Sequence, residues 1–531
     1  MTDAARRRWA GRLGLSAAAV LGAALIACPS TGGSPDIGRV KSARPGGRVR
    51  PTEKPKDYLD RPLREQVAAI RAGRLTSAGL TRAYLARIEA RDRGERGTHA
   101  VIALDPRALE RAAALDRARG SGLLRGATIL VKDNIDTRGI ATTAGSLALA
   151  HNIPAKDAFV VKRIRAARGL VLGKANLSEW ANFRGNRSTS GWSSLGGQTR
   201  NGADPAYNPC GSSSGSAAAV AVGLASAALG TETNGSIICP ASVNGVVGFK
   251  PTVGLVSRSG VVPISHSQDT VGPITRTVGD AARLMSALAG PDPGDPATRS
   301  IPKGMSLDFE APLAGATLRG KRLGVVGFGF KPDVMALFNA ERGRLAAAGA
   351  VLVDVALDAK SWSKDGYTVL LHEFKVGINA YLAAHARPGQ PATLQGLIDF
   401  NEAHAARVMP HFGQEVFLAA QATTGLRAPA YLAARRNVHA KTAVAIVELI
   451  AKHNLDALVS PSAPPAWKTR YESGDPAIAC SSGPAAAAGL PHLTLPMGRV
   501  NGLPVGLSLF GRAWDDAAIL ALGQAYERLR R

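Results

Sequence analysis

Short runs of consecutive apolar residues alternate with amphipathic stretches along most of the chain. Thr76 and Ser77 offer an N-cap to a helix that places Leu80, Tyr84, Leu85 and Ile88 on one face and ends at Arg91-Asp92-Arg93. A second helix is predicted over 106–119, and residues 127–131, Ala-Thr-Ile-Leu-Val, read as a strand buried on both faces. That strand ends at Lys132-Asp133-Asn134, the end of a strand where open α/β sheets carry functional groups. The alternation continues with helices over 157–168, 216–224 and 277–289 and strands over 169–173, 227–230 and 246–249. It resumes with strands over 322–326 and 351–355 flanking a helix over 334–348. After Thr442 come a helix to His453, a strand over 457–459, a helix over 484–488, strands over 493–495 and 505–510, and a last helix over 515–530. Residues 361–436 are helical but less regular, and are expected to form a lid or substrate-facing insertion. This pattern predicts an α/β fold: one large domain over 58–531 with a central mixed β-sheet wrapped by helices.

The N-terminus changes the picture of where the domain works. Arg6, Arg7 and Arg8 precede an uncharged run over 13–27, whose 15 residues suit a signal-peptide core better than a membrane span of about 20 residues. Its end, Leu25-Ile26-Ala27-Cys28, resembles a bacterial lipobox, which makes residues 1–28 a signal peptide and Cys28 the expected lipidation site. Cleavage by ordinary signal peptidase is the alternative. Residues 29–57, rich in Pro, Gly, Ser and basic side chains, read as a flexible tether. An exported protein, anchored to the membrane through its N-terminal lipid and facing the periplasm or cell exterior, is the expectation.

Composition excludes more than it assigns. The 65 Lys and Arg against 40 Asp and Glu give a net charge of +25, which permits nucleic-acid binding. The basic residues are spread from Arg6 to Arg531 without a recognition module, and aromatics are 5%, so no nucleic-acid partner is expected. Without Cys28, the cysteines are Cys210, Cys239 and Cys480, an odd number lacking CxxC spacing. This argues against a metal site and a disulfide framework, and a Cys210–Cys239 bridge is left open.

The chemistry is expected over 208–252, where two Gly/Ser turns, Gly211 to Ser216 and Asn234 to Ser236, flank an apolar small-residue run. Gly211-Ser212-Ser213-Ser214-Gly215 matches the nucleophile elbow formally, but the proline-broken Asp204-Pro205-Ala206-Tyr207-Asn208-Pro209 before it is no strand. Ser361-Trp362-Ser363-Lys364 matches a penicillin-recognising motif, yet Lys441-Thr442-Ala443 lacks the glycine of its companion. Zincin, dinucleotide and P-loop signatures are absent.

Five ordered motifs remain: Val131-Lys132-Asp133-Asn134, Gly173-Lys174-Ala175-Asn176-Leu177-Ser178-Glu179-Trp180, Gly211 to Ser216, Gly230-Thr231-Glu232-Thr233-Asn234-Gly235-Ser236-Ile237, and Gly248-Phe249-Lys250-Pro251-Thr252. In these the chain resembles the amidase signature family, over a region from about Leu63 to the C-terminus and closest in look to its bacterial peptide amidases. The resemblance implies Ser236 as nucleophile, Ser212 as a bridging serine preceded by a cis peptide, and Lys132 as base. A serine hydroxyl needs a neighbour to take its proton, and a lysine can do so only when burial keeps it neutral. The resemblance also implies an oxyanion hole from the backbone N–H groups of Thr233, Asn234, Gly235 and Ser236, an acyl-enzyme and release of ammonia. It implies neither a cofactor nor an obligate protein partner, and its substrate would be a small-molecule or peptide amide. Gln268 and Asp269 are expected either to face substrate or to brace their loop. Glu232 and Asn234 depart from the commoner Asp-x-Gly-Gly-Ser, which opens the question of a reshaped pocket. Two alternatives are a glutaminase like the one in glutamyl-tRNA amidotransferase and a solute-binding lipoprotein with a vestigial triad.

Overall fold

The structure is a computed structural model that describes residues 53–118, 120–358, 360–385 and 389–530. The signal-like segment, Cys28 and residues 29–52 of the tether lie outside the described residues.

Among the described residues, eleven strands form one mixed sheet, and a small hairpin stands apart from it. In chain order the strands are β1 (Val101–Leu104), β2 (Thr128–Lys132), β3 (Leu170–Ala175), the hairpin strands β4 (Trp192–Ser193) and β5 (Gly197–Gln198), β6 (Ala227–Glu232), β7 (Val247–Lys250), β8 (Thr270–Thr275), β9 (Arg322–Val326), β10 (Val351–Val355), β11 (Ala457–Pro461), β12 (His492–Val500) and β13 (Leu503–Phe510). The sheet order is β1-β3-β2-β6-β8-β7-β12-β13-β11-β9-β10. β2 runs parallel to both β3 and β6. Ile129, Val131, Val171, Ala227 and Leu229 pack into one core, while Leu130, Leu172 and Ala228 pack into another. This period-2 division between two covered faces is why the strands read as unbroken apolar runs.

The predicted elements are present, most with shifts of a residue or two at ends that fray, while the strand predicted over 493–495 extends to Val500 as β12 and the helix predicted over 216–224 spans Ser214–Ala221. Thr76 caps the helix Ser77–Arg91 by accepting from the Gly79 N–H, with Leu80, Tyr84 and Ile88 buried and Leu85 only partly so. β1 and β8 have no counterpart among the predicted elements. Gly272 and Pro273 break the strand signature of β8, but a Cβ at Gly272 would lie 2.0 Å from the Phe249 carbonyl oxygen. Glycine is what lets β8 fit between β6 and β7.

The apolar run after Ser212 becomes the helix Ser214–Ala221, buried along nearly its whole length, as a helix apolar all round must be. Its start is wedged against β1 and β3, where a Cβ at Gly215 would lie 2.3 Å from the Ala100 carbonyl oxygen and 2.5 Å from that of Asn176. The irregular stretch 361–436 folds into helices that include Ser363–His385, Leu394–Ala403, Glu415–Gln421 and Pro429–His439. Phe374, Ile378, Leu397 and Phe417 pack there with Trp180, Phe183, Val262 and Ile264, so the insertion abuts the segments that wall the site described below.

The wedge is testable. Gly215→Ala should destabilise the protein by about 1–3 kcal/mol, the usual cost of overpacking, in urea denaturation. Gly343→Ala, in the helix Pro332–Ala347 with nothing within 4 Å of the added Cβ, should instead stabilise by about 0.4–1 kcal/mol.

Candidate active site

Parallel pairing of β2 with β6 sets the site. Val131 lies opposite Leu229, so Lys132 at the end of β2 comes level with Gly230, and its side chain reaches Thr231 near the end of β6, shortly before the Ser236 turn. Lys132 is fully buried, and its Nζ donates to Ser212 Oγ at 2.8 Å, to Thr231 Oγ1 at 2.9 Å and to the Thr231 carbonyl at 3.3 Å. Burial pulls its pKa down to about 7, against the opposing pull of the Asp269 and Glu232 carboxylates. A buried ammonium is disfavoured unless fully paired, and here its neighbours are mostly neutral oxygens.

Ser212 is held by its own turn and by the next. The Gly211–Ser212 peptide bond is cis, as the resemblance implied. The Ser213 N–H donates to the Ser236 carbonyl at 3.1 Å, and Ser213 Oγ donates to the Thr231 carbonyl at 3.1 Å. Cys210 and Cys239 form a disulfide with Cα atoms 6.0 Å apart. That answers the question left open by the sequence: an odd cysteine count does not forbid one bridge, and the fold brings these two together across 29 residues of sequence. The bridge ties the residue two before Ser212 to the residue three after Ser236.

Glu232 sits beneath the Ser236 turn rather than in the cavity. Its Oε2 accepts from the N–H groups of Ile237 and Ile238 at 2.8 and 3.0 Å, which anchors the start of the helix Ile238–Asn244. Asn234 is exposed, and its Oδ1 accepts from Ser482 Oγ at 2.9 Å. Both departures from the commoner motif therefore brace the turn from outside. Gly235 holds φ at 77°, a left-handed value that glycine adopts freely. Among the described residues no group accepts from the backbone N–H of Thr233, Asn234, Gly235 or Ser236.

Ser212 and Ser236 line one small cavity with Asn134, Thr231, Thr233 and Asp269. Asp269 does both things expected of it. It faces the cavity, and it also accepts from Thr233 Oγ1 at 2.6 Å and from the N–H groups of Ile264 and Ser265 at 2.8 and 2.9 Å. Burial raises its pKa to about 6 despite those donors. Gln268 is buried but does not line the cavity. Thr231, Asn134 and Arg258 also line it. The first two stand inside the family motifs without an expected role, and Arg258 belongs to the Ser257-Arg258 pair that adds to the likeness to bacterial peptide amidases, also without an expected role.

The remaining motif residues hold the wall. Glu179 pairs with the fully buried Arg184 at 2.6 Å, and Arg184 also donates to the carbonyls of Val408, Phe412 and Gly413 in the insertion. Trp180, Ala181 and Asn182 take φ values of 51°, 55° and 66°. Left-handed backbone at three successive non-glycine residues is costly and is found where a site demands it; Ala181 lines the cavity. Lys174 is buried in an ion pair with Asp133 at 3.1 Å, a brace for the end of β3. Among the described residues no group of three or more His, Cys, Asp or Glu side chains is placed to hold a metal ion.

An amidase family profile matches residues 79–520 of the chain. The solved structure of a native peptide amidase from Stenotrophomonas maltophilia is 47% identical, with a TM-score of 0.85 over 90% of this chain and 98% of that one. A probable amidase of Arabidopsis thaliana is 37% identical over 474 residues, covering 86% of this chain and 87% of the relative. A glutamyl-tRNA(Gln) amidotransferase subunit of Symbiobacterium thermophilum is 37% identical over 472 residues, covering 86% and 94%. By family and by fold the chain belongs to the amidase signature family, enzymes that hydrolyse amide C–N bonds.

Proposed function

We propose that the chain is a serine amidohydrolase that removes ammonia from peptide C-terminal or small-molecule carboxamides, with Ser236 as nucleophile, Ser212 as relay and Lys132 as base. The observation that carries this reading is the buried Lys132 with its depressed pKa, 2.8 Å from Ser212 Oγ. Ser236 Oγ attacks the amide carbon while its proton passes to Ser212 Oγ, whose own proton passes to Lys132 Nζ. The negative oxygen that forms meets the unpaired N–H groups of residues 233–236. As the C–N bond breaks, the relay returns the proton to the departing nitrogen and ammonia leaves an acyl-enzyme. Water then attacks that ester by the same relay, releasing a carboxylate and restoring Ser236.

The higher identity to the peptide amidase than to the amidotransferase protein, 47% against 37%, supports the peptide substrate. Export and lipidation of Cys28 are part of the proposal. The Cys210–Cys239 bridge supports export, because structural disulfides persist in oxidising compartments.

Purified protein should release ammonia from amidated peptides, and Ser236→Ala should abolish that release in a coupled ammonia assay. Only neutral Lys132 can accept the proton, so kcat/KM should fall about tenfold per pH unit as the pH drops below about 7, and level off above it. A profile flat from pH 5 to 9 contradicts the role given to Lys132. The double variant Cys210→Ser/Cys239→Ser should lose about 3–4 kcal/mol of stability to urea by loop entropy. Its kcat should drop about ten- to a hundredfold as the two turns loosen, and an unchanged kcat would show that the bridge does not position them.

A further inference from the structure

The Ser236 cavity is nearly closed, with a volume of about 10 Å³, room for about one water. The cavity beside it, walled by Trp180, Ile264 and Phe374, is equally small at about 10 Å³. Space opens elsewhere. A cavity of about 180 Å³ shares Arg258, Val261 and Asp269 with the Ser236 cavity. It shares Ser259 and Gly294 in turn with a cleft of about 580 Å³ that reaches Asp136 and Lys162. Gly294 lines both: a Cβ there would lie 2.9 Å from Ser259 Oγ and 3.3 Å from Asp292 Oδ1, so a side chain at this exposed position takes up space where the two are closest. Arg258 is clamped to Asp295 at 2.6 Å and forms a fixed wall of the middle cavity.

Beyond the Ser236 cavity, the larger volumes for the rest of a substrate therefore lie on the Arg258 side and not toward Phe374. The far cleft is polar, with Asp136, Lys156, Asp157 and Lys162 on its walls. An apolar acyl chain would strip water from those charges without replacing it, whereas a peptide brings its own donors, acceptors and charged terminus. We propose that these neighbouring cavities join into an extended trough for the N-terminal portion of a peptide amide, so that the preferred substrate is an oligopeptide carboxamide of three or more residues, about 10 Å of extended chain. This rests on the reading of Ser236 as the nucleophile.

The test is a series of amides with one common C-terminal residue, from the free amino-acid amide to the tetrapeptide amide, with a long-chain fatty acid amide alongside. In the unaltered enzyme kcat/KM should rise at least about tenfold from the amino-acid amide to the tri- and tetrapeptide amides, as remote binding contributes at the reacting centre. The fatty acid amide should be the poorer substrate. Gly294→Phe should shrink the ratio of tetrapeptide to amino-acid amide to about twofold. Hydrolysis with no length dependence, a ratio unmoved in Gly294→Phe, or a preference for the fatty acid amide would each overturn the trough while leaving Ser236 as nucleophile. Failure to hydrolyse any of the amides would overturn both.

Discussion

The site depends on one constraint: a lysine has to be kept out of water at the end of a central strand. Lys132 closes β2 with no exposed surface, and burial of that kind works against its charge. The surrounding structure does little to restore the charge. The hydrogen-bond partners of its Nζ are Ser212 Oγ and both oxygens of Thr231, all uncharged, and neither carboxylate that favours the ammonium, Asp269 or Glu232, bonds to it. An amine poised near neutrality beside a serine is the chemical result.

Much of the rest can be read as support for that arrangement. The parallel neighbours β3 and β6 bury β2 on both sides. The bond from the Ser213 N–H to the Ser236 carbonyl and the Cys210–Cys239 bridge join the two serine turns to each other. Glu232 fastens the second turn from below and Asn234 fastens it to Ser482 from above. The insertion grips the wall segment through Arg184 and grips the 265–269 loop through Glu373, which accepts from Ser267 N–H at 3.0 Å. Pocket and scaffold are thus joined mostly by buried hydrogen bonds, which are costly to leave unmade.

The strands and helices are legible wherever burial imposes a period. β9 falls where its apolar run ends, because Arg322 to Val326 is bounded by Lys321 and Gly327. β8 is hidden because its glycine and proline answer to neighbouring backbone rather than to strand propensity. In the site, Lys132, Ser212 and Ser236 are legible through long motifs at fixed spacing. Asp269 shows only half its role, since whether a carboxylate braces a loop or faces a cavity depends on folding. The place of Arg258 in the cavity wall and the Cys210–Cys239 bridge, which the sequence leaves open, are decided only by folding. Both exist only because residues 29 or more apart meet, and local pattern carries no trace of such encounters.

The central claim is that Ser236 is activated by Lys132 through Ser212, and labelling tests it without knowledge of the substrate. Folded protein is treated with a fluorophosphonate probe and the adduct mapped by mass spectrometry, in parallel with Lys132→Met. The account predicts a single adduct on Ser236, slowed by orders of magnitude in the lysine variant. An unlabelled Ser236 in folded protein, or labelling at an undiminished rate in Lys132→Met, would contradict it.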